Sequence, residues 1–403
     1  MGNAVSHGIT FFGVLLLSRV YSPKEFGVYA VVLGCVAILS AVASFQYETT
    51  ILLPKLENLA RLALQVALIA VLGNILIIFL AVSLMVVGGW LDIYWLALPV
   101  AGLFSSVINI GSFLQNRNQQ YKRIVGIQVL RALLFVLTAL VVSPLGTFDN
   151  GLVVGMTIAY VVPGFWVLLV DFRRSKLYEV KLSKSRCIFW IKKHNKFLYY
   201  SAPAVFVSTI ASQAPVFLLT VFAGAAQAGY YAMVYRAVMA PVMLFSKAVN
   251  RIYMQSVTAK MAAGDIIYPF TVLLIKRCIA PGCLVGGVML VLFYFGALEF
   301  VLGRQWVGVD TLAAVMMPAF LVSFIGKSIS GFAVLGRNEL GLIYQLLLLT
   351  LVSSAVVLST LMSGDIVVIF SCISFALSTC FIGQALSILR ISSMIDKSNL
   401  PGK

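Results

Sequence analysis

A guanidinium, an ammonium and a carboxamide lie on one side of an apolar, helix-length segment past the middle of this 403-residue chain. Arg236, Met243, Lys247 and Asn250 follow one another at steps of 7, 4 and 3 residues. That spacing superposes side chains on a helix turning ~100° per residue. Val234, Val238, Phe245 and Ile252 take the opposite side. Cationic groups so placed bind anions, and a guanidinium grips phosphate oxygens through two parallel hydrogen bonds. Arg131, one turn after Gln128, adds a cation on another segment, and Arg19 adds one between the first two segments. Neutral polar faces accompany them: Ser201, Ser208 and Ser212, backed by Gln213, on one segment, and Asn3, His7, Thr10 and Ser18 on the first. His7 and Glu48 are of a type to take up and release protons. His7 equally suits packing or a bond to a neighbouring helix. The six cysteines show no metal-ligand spacing, and nothing in the chain calls for a metal or another cofactor.

These residues must be positioned by a chain that is 61% hydrophobic and 10% charged, too apolar for a water-soluble domain. Twelve apolar stretches fill it, at 3–20, 28–46, 60–87, 94–114, 124–143, 151–170, 198–222, 229–253, 278–298, 309–326, 340–361 and 366–389. A spanning helix needs ~20 such residues, because the rise is ~1.5 Å per residue and the hydrocarbon core ~30 Å thick. The fold class is therefore an all-α polytopic membrane protein of about 12 transmembrane helices. A charge at mid-bilayer costs at least ~2.5–3.5 kcal/mol, so it faces a cavity or a partner. Arg236 and Arg131 lie well inside their stretches. Lys247 lies nearer an end, where it either faces a cavity or snorkels to the headgroups. Acids are missing from the middle: Glu48 follows the second stretch and Asp310 opens the tenth. Cations without matching carboxylates suit an anionic cargo.

The formal net charge is +16, but its distribution argues against nucleic acid as a partner. With the N-terminus placed in the cytoplasm, all but six of the 29 Lys and Arg residues fall on that side or in the C-terminal tail. The exceptions are Arg19, Lys24 and Arg304 at the other face, and Arg131, Arg236 and Lys247 within stretches. The acidic residues divide almost evenly, so the bias is the positive-inside signature, with both termini cytoplasmic.

The segment Asp171–Phe197, with nine Lys and Arg residues against two acids, divides the chain. The expected arrangement is an N-terminal six-helix bundle (1–170), a basic linker (171–197), and a C-terminal six-helix bundle with a short tail (198–403). Within the linker, Cys187–Lys193 lies as an amphipathic helix on the inner interface, with Trp190 at headgroup level, or is a solvated connection. Gly27-Val28-Tyr29-Ala30 and Gly229-Tyr230-Tyr231-Ala232 open equivalent helices of the two halves. Gln115-Asn116-Arg117-Asn118 and Leu335-Gly336-Arg337-Asn338 follow equivalent helices. Pseudo-symmetric parallel repeats of this kind bind cargo between the halves in known transporters. Prolines at 163, 203, 215, 241, 281 and 318 favour kinks within the helices.

Longer motifs carry a resemblance. Ser18-Arg19-Val20-Tyr21-Ser22-Pro23-Lys24-Glu25-Phe26-Gly27 resembles the stretch between the first two helices of Wzx-type polysaccharide flippases, a branch of the multidrug/oligosaccharidyl-lipid/polysaccharide exporter superfamily. Tyr47-Glu48 through Pro54-Lys55 is similar to that family's end of helix two. Lys196-Phe197-Leu198-Tyr199-Tyr200-Ser201-Ala202-Pro203 resembles its entry into the second half. Ser212-Gln213-Ala214-Pro215, Gly229–Ala232 with Arg236, and Arg337-Asn338-Glu339 also fit, so the resemblance runs through nearly the whole chain in order. One departure is that only Met1 and Gly2 precede the first stretch, where the family generally has more; either the start is truncated or the first helix is short.

The resemblance implies a transporter rather than an enzyme. It would move undecaprenyl-diphosphate-linked oligosaccharide across the bacterial inner membrane by alternating access, for O-antigen or exopolysaccharide assembly. It implies the bilayer and an anionic lipid-linked saccharide as partners, with polysaccharide polymerase machinery nearby. Helices one, two, seven and eight would line the path. The competing readings are a multidrug or cation antiporter of the same superfamily, a flippase for a lipid-linked peptidoglycan precursor, and a membrane glycosyltransferase or polymerase. Cationic-drug carriers need intramembrane carboxylates, and the enzymes need larger outer loops than this chain has.

The positive charges of Asp171–Phe197 make the topology testable. A reporter fused near Lys184 is expected to read cytoplasmic and one near Asp149 periplasmic. The reverse pattern would overturn the orientation.

Overall fold

Hydrocarbon offers no hydrogen bonds to a backbone, so a chain of this composition must satisfy its peptide groups within helices or closed barrels. The computed structural model describes residues 2–145, 150–175, 183–332 and 334–399. Asp149 and linker residues 176–182 lie outside them. Among the described residues the protein is all helix and turn, without strands. The helices are α1 (Gly2–Leu17), α2 (Pro23–Val42), α3 (Glu57–Val87), α4 (Ala97–Arg117), α5 (Tyr121–Val142), α6 (Gly151–Trp166), α7 (Lys184–Lys193) and α8 (Ala202–Phe222). They continue as α9 (Ala225–Val234), α10 (Ala240–Ala263), α11 (Tyr268–Tyr294), α12 (Ala297–Leu302), α13 (Val309–Ser328), α14 (Asn338–Met362) and α15 (Ile366–Asn399).

Each of the twelve apolar stretches lies largely in helix, and among the described residues 10 helices are long and apolar enough to cross a membrane. Two stretches fall short, one by length and one that is rich in cations and interrupted. One is α1, of 16 residues. The other is α9–α10, which carries Arg236, Lys247, Arg251 and Lys260 and is interrupted by a π-helical turn at Tyr235–Met239. A second π turn, Phe197–Ser201, leads into α8. Both turns end two residues before a proline, Pro203 or Pro241. A proline gives no N–H to the carbonyl four residues back and its ring crowds that carbonyl. A widened turn relieves both.

By internal contact the chain divides into two compact units, Met1–Ile210 and Ala211–Lys403, the boundary falling within α8. In the first unit, α5 packs on α1 and α6, while α4 packs on α2, α3 and α6. Ser22 caps α2 through a capping box: its hydroxyl accepts from the Glu25 N–H, the Glu25 carboxylate accepts from the Ser22 N–H, and Pro23 supplies the preset φ of the first turn. Asn150 caps α6 and donates to the Glu25 carbonyl at 2.9 Å, and Tyr21 donates to the Ala139 carbonyl at 2.7 Å. A Cβ at Gly155 would lie 3.0 Å from the backbone nitrogen of Ala139, so only glycine allows α5 and α6 this approach.

The linker helix α7 belongs to the first unit because it packs on α3. Trp190 is 2% exposed and donates from its indole to Thr50 Oγ1 at 3.2 Å, with His194 against its ring. The ring expected at headgroup level is thus buried in the bundle, where a hydroxyl satisfies its N–H. In the second unit, α13 packs against α10, α11 and α15, and α14 packs on α15. Asp310, at the start of α13, accepts from the N–H groups of Leu298 and Glu299 at the head of α12. Asp396 does the same for Ile267 and Tyr268 at the head of α11. Both carboxylates offset the partial positive charge of a helix N-terminus.

Candidate functional site

Within the second unit, α10 runs beside α13, with Ser246 buried, Asn250 half-buried, and Lys247 and Arg251 exposed. Ser246 Oγ donates to the Val242 carbonyl at 2.9 Å and reaches the Phe324 carbonyl at 3.4 Å. Asn250 Nδ2 donates to the carbonyls of Ser328 (3.2 Å) and Ser330 (2.8 Å), where α13 ends and its last carbonyls lack helical partners. From α15, Gln384 Nε2 donates to Ser330 Oγ at 3.2 Å. These bonds tie three helices together at one end of the unit.

A cavity of about 320 Å³ opens beside this seam, lined by Met243, Ser246, Lys247, Asn250, Arg251, Lys327 and Ser330. Three cations and no carboxylate stand in that lining. The ammonium groups of Lys247 and Lys327 repel each other across it. Lys327 is held over the Phe381 ring at 5.3 Å, a cation–π contact that leaves its donors for another acceptor. An anion entering here would relieve the repulsion and accept several charge-assisted hydrogen bonds at once.

The expected residues distribute unevenly about this cavity. Met243, Lys247 and Asn250 line it; Arg236 is not among its lining residues. The helical spacing that placed Arg236 on the same side assumed an unbroken α-helix. Arg236 itself sits in the π turn Tyr235–Met239, half-buried, and the turn's extra residue shifts the phase of everything before it by ~100°. Asn250 both lines the cavity and holds the end of α13. Arg251 and Lys327 are additions that the sequence did not single out: each lies near the end of its apolar stretch, and α10 and α13 run on through them. Ser212 is exposed on α8 and accepts from Gln213 Nε2 at 3.4 Å.

In the first unit, Arg131 lies over the Tyr160 ring at 5.2 Å, a partner on the neighbouring α6. Arg19 is exposed in the turn after α1, and His7 is exposed on α1; the side chain of Asn3 lies outside the description. Glu48 is 1% exposed, buried in the core of the first unit just past α2. It accepts hydrogen bonds from the Ser44 hydroxyl and from Asn109 Nδ2. Asp171, assigned to the linker by sequence, is buried in a π turn (Val167–Phe172) that extends α6. It accepts from Gln115 Nε2 at 2.7 Å and pairs with Arg123 at 3.0 Å. The interior therefore does hold carboxylates, each satisfied by donors on adjacent helices, as low dielectric requires.

Comparison with known proteins places this arrangement. The model of a family described as "Polysaccharide biosynthesis protein" matches residues 16–311. No curated protein sequence matches the chain. Among solved structures, an inward-facing multidrug resistance MATE family transporter of the MOP superfamily is similar over 97% of this chain and 96% of its own, with a TM-score of 0.69 at 13% identity. The lipid II flippase MurJ, in an inward closed conformation, is similar over 99% of this chain and 89% of its own, with a TM-score of 0.71 at 11% identity. An outward-facing MATE family transporter gives 0.61 at 14% identity, over 99% of this chain and 96% of its own. At such identities the likeness shows the fold, which is the one the motif resemblance implied. The fold's relatives here are transporters and flippases, not enzymes.

Glu48 supplies a pH-dependent expectation. Burial raises its pKa above the ordinary carboxylate value, against the opposing hydrogen bond from Ser44. The folded state then binds the proton more tightly than the unfolded state, so stability is lost as pH rises through the carboxylate range. Glu48→Gln mimics the neutral form. Thermal unfolding in detergent is expected to show the variant gaining on the wild type between pH 4 and pH 7. A variant less stable than the wild type by a constant margin would contradict this.

Proposed function

The chain belongs to the polysaccharide biosynthesis protein family, and from that premise we propose that it is a flippase for lipid-linked oligosaccharide. The sugar and diphosphate of such a cargo cannot cross hydrocarbon unaided, because stripping their hydration costs many kcal/mol. A polar, cation-lined cavity offers substitute partners while the polyprenyl tail stays in lipid. The observation that carries the reading is the lining itself: Lys247, Arg251 and Lys327 without a carboxylate among them. On this proposal they hold the diphosphate, and Arg236, in the π turn of the same polar helix, is a second cationic station. Alternating access exposes the cavity to one leaflet and then the other. The cargo is undecaprenyl-diphosphate-linked saccharide of the bacterial inner membrane, used for O-antigen or exopolysaccharide, with a polymerase taking the product.

A carrier of cationic drugs would need carboxylates turned toward its cargo. Glu48 and Asp171 are instead engaged by Ser44, Asn109, Gln115 and Arg123, which supports the anionic reading. In a deletion strain, Lys247→Glu and Lys327→Glu proteins are expected to lose surface polysaccharide at least tenfold, while Lys247→Arg and Lys327→Arg retain most of it. Arg236→Ala is expected to abolish export and Arg236→Lys to leave part of it, since lysine keeps the charge but not the fork. Normal export by a well-inserted, charge-reversed cavity protein would sink the proposal.

A further inference from the structure

A second basic pocket, in the first unit and separate from the cavity just described, has no role in that proposal. It measures about 110 Å³ and lies where α3 begins, α4 ends and the extension of α6 ends. Arg61, Arg117 and Arg174 line it, with Asn118, Ser175 and the single carboxylate of Glu57. Two of the arginines are held in place. Arg117 donates from Nη1 to the Ile51 carbonyl at 2.9 Å and from Nη2 to the Lys55 carbonyl at 3.5 Å. Arg61 reaches the Glu57 carboxylate at 3.3 Å, but Glu57 is 82% exposed, so that pair is a weak one. A guanidinium has five N–H donors, and the two backbone bonds of Arg117 leave others for a ligand.

The surroundings say which kind of anion. Three spanning helices stop here together, so the pocket sits where hydrocarbon gives way to headgroups. The segment that Arg117 grips carries exposed leucines, Leu52, Leu53 and Leu56. An apolar ledge beside a cluster of three arginines suits a molecule with a phosphate at one end and acyl chains at the other. Basic pockets between helix ends are the usual seats for anionic headgroups. The pocket's size admits one phosphate group.

We propose that this pocket binds a lipid-borne phosphate, the headgroup of an anionic phospholipid, and clamps the ends of α3, α4 and α6 through it. The test uses the intact purified protein in neutral detergent and follows thermal unfolding against four probes: short-chain phosphatidylglycerol, short-chain phosphatidylcholine, inorganic phosphate and undecaprenyl diphosphate. Phosphatidylglycerol is expected to stabilise the wild type at concentrations where phosphatidylcholine does not. Its apparent affinity is expected to fall about tenfold or more in Arg61→Gln/Arg174→Gln, through the lost charge-assisted bonds. Arg117 is left intact there because its backbone bonds are structural. Lys247→Glu should leave this binding unchanged, which separates it from the cargo cavity. Tighter binding of undecaprenyl diphosphate than of phosphatidylglycerol, lost in the same double variant, would assign the pocket to the cargo and overturn the resident-lipid proposal. Inorganic phosphate matching phosphatidylglycerol would overturn the lipid source. Equal phosphatidylglycerol affinity in wild type and double variant would overturn the site.

Discussion

A charge placed among hydrocarbon chains has no water to answer it, so something in the protein or its ligand must. That requirement organises the interior. Asp171 is met by Gln115 and Arg123, Glu48 by Ser44 and Asn109, and Arg131 by the face of Tyr160. In each case the partner comes from another helix or turn, so electrostatic satisfaction and helix packing are one arrangement. The cavity beside α10 and α13 is the exception. Its lining holds three cations and no carboxylate, and that imbalance is the feature from which the proposed function follows.

Backbone groups obey the same rule, which explains why the motifs that reveal kinship are mostly structural. The Ser22–Glu25 segment is a capping box, and Asn150 closes α6 while holding α2. Arg337 and Glu339 pair at 3.5 Å where α14 begins. Gln115, in the other repeated element, holds Asp171. These residues mark the fold, whereas the proposed cargo cations Lys247, Arg251 and Lys327 stand together in the cavity lining. Pro203 and Pro241 make a further link between backbone and site. Each follows a π turn, and the second of these turns contains Arg236.

The helices were legible because hydrophobic length is a strong signal: every apolar stretch lies largely in helix. What was illegible depended on register or on depth. A seven-residue step from Arg236 to Met243 reads as one face only if the helix is regular, and a π turn is invisible in periodicity. Lys327, Arg251 and Asp171 lie at the margins of apolar stretches, where composition cannot separate a last helical turn from a loop. Trp190 and Glu48 stand beside charged or polar neighbours and read as interfacial; their burial follows from α7 and the turn at Tyr47–Leu52 packing on α3. Met243, Lys247 and Asn250 share a side because they fall on the regular part of the helix, past the interruption.

On the proposed function, the cation-lined cavity touches an anionic lipid-linked saccharide. Met243 lines that cavity without carrying charge, so it can be replaced by a photo-crosslinking amino acid while the three cations stay in place. Illumination of cells making the polysaccharide, followed by purification and mass analysis, is expected to yield a covalent adduct with the diphosphate-linked saccharide. The adduct should vanish when Lys247 and Lys327 are both changed to Glu. Adducts with bulk phospholipid alone, unchanged by that charge reversal, would contradict the account.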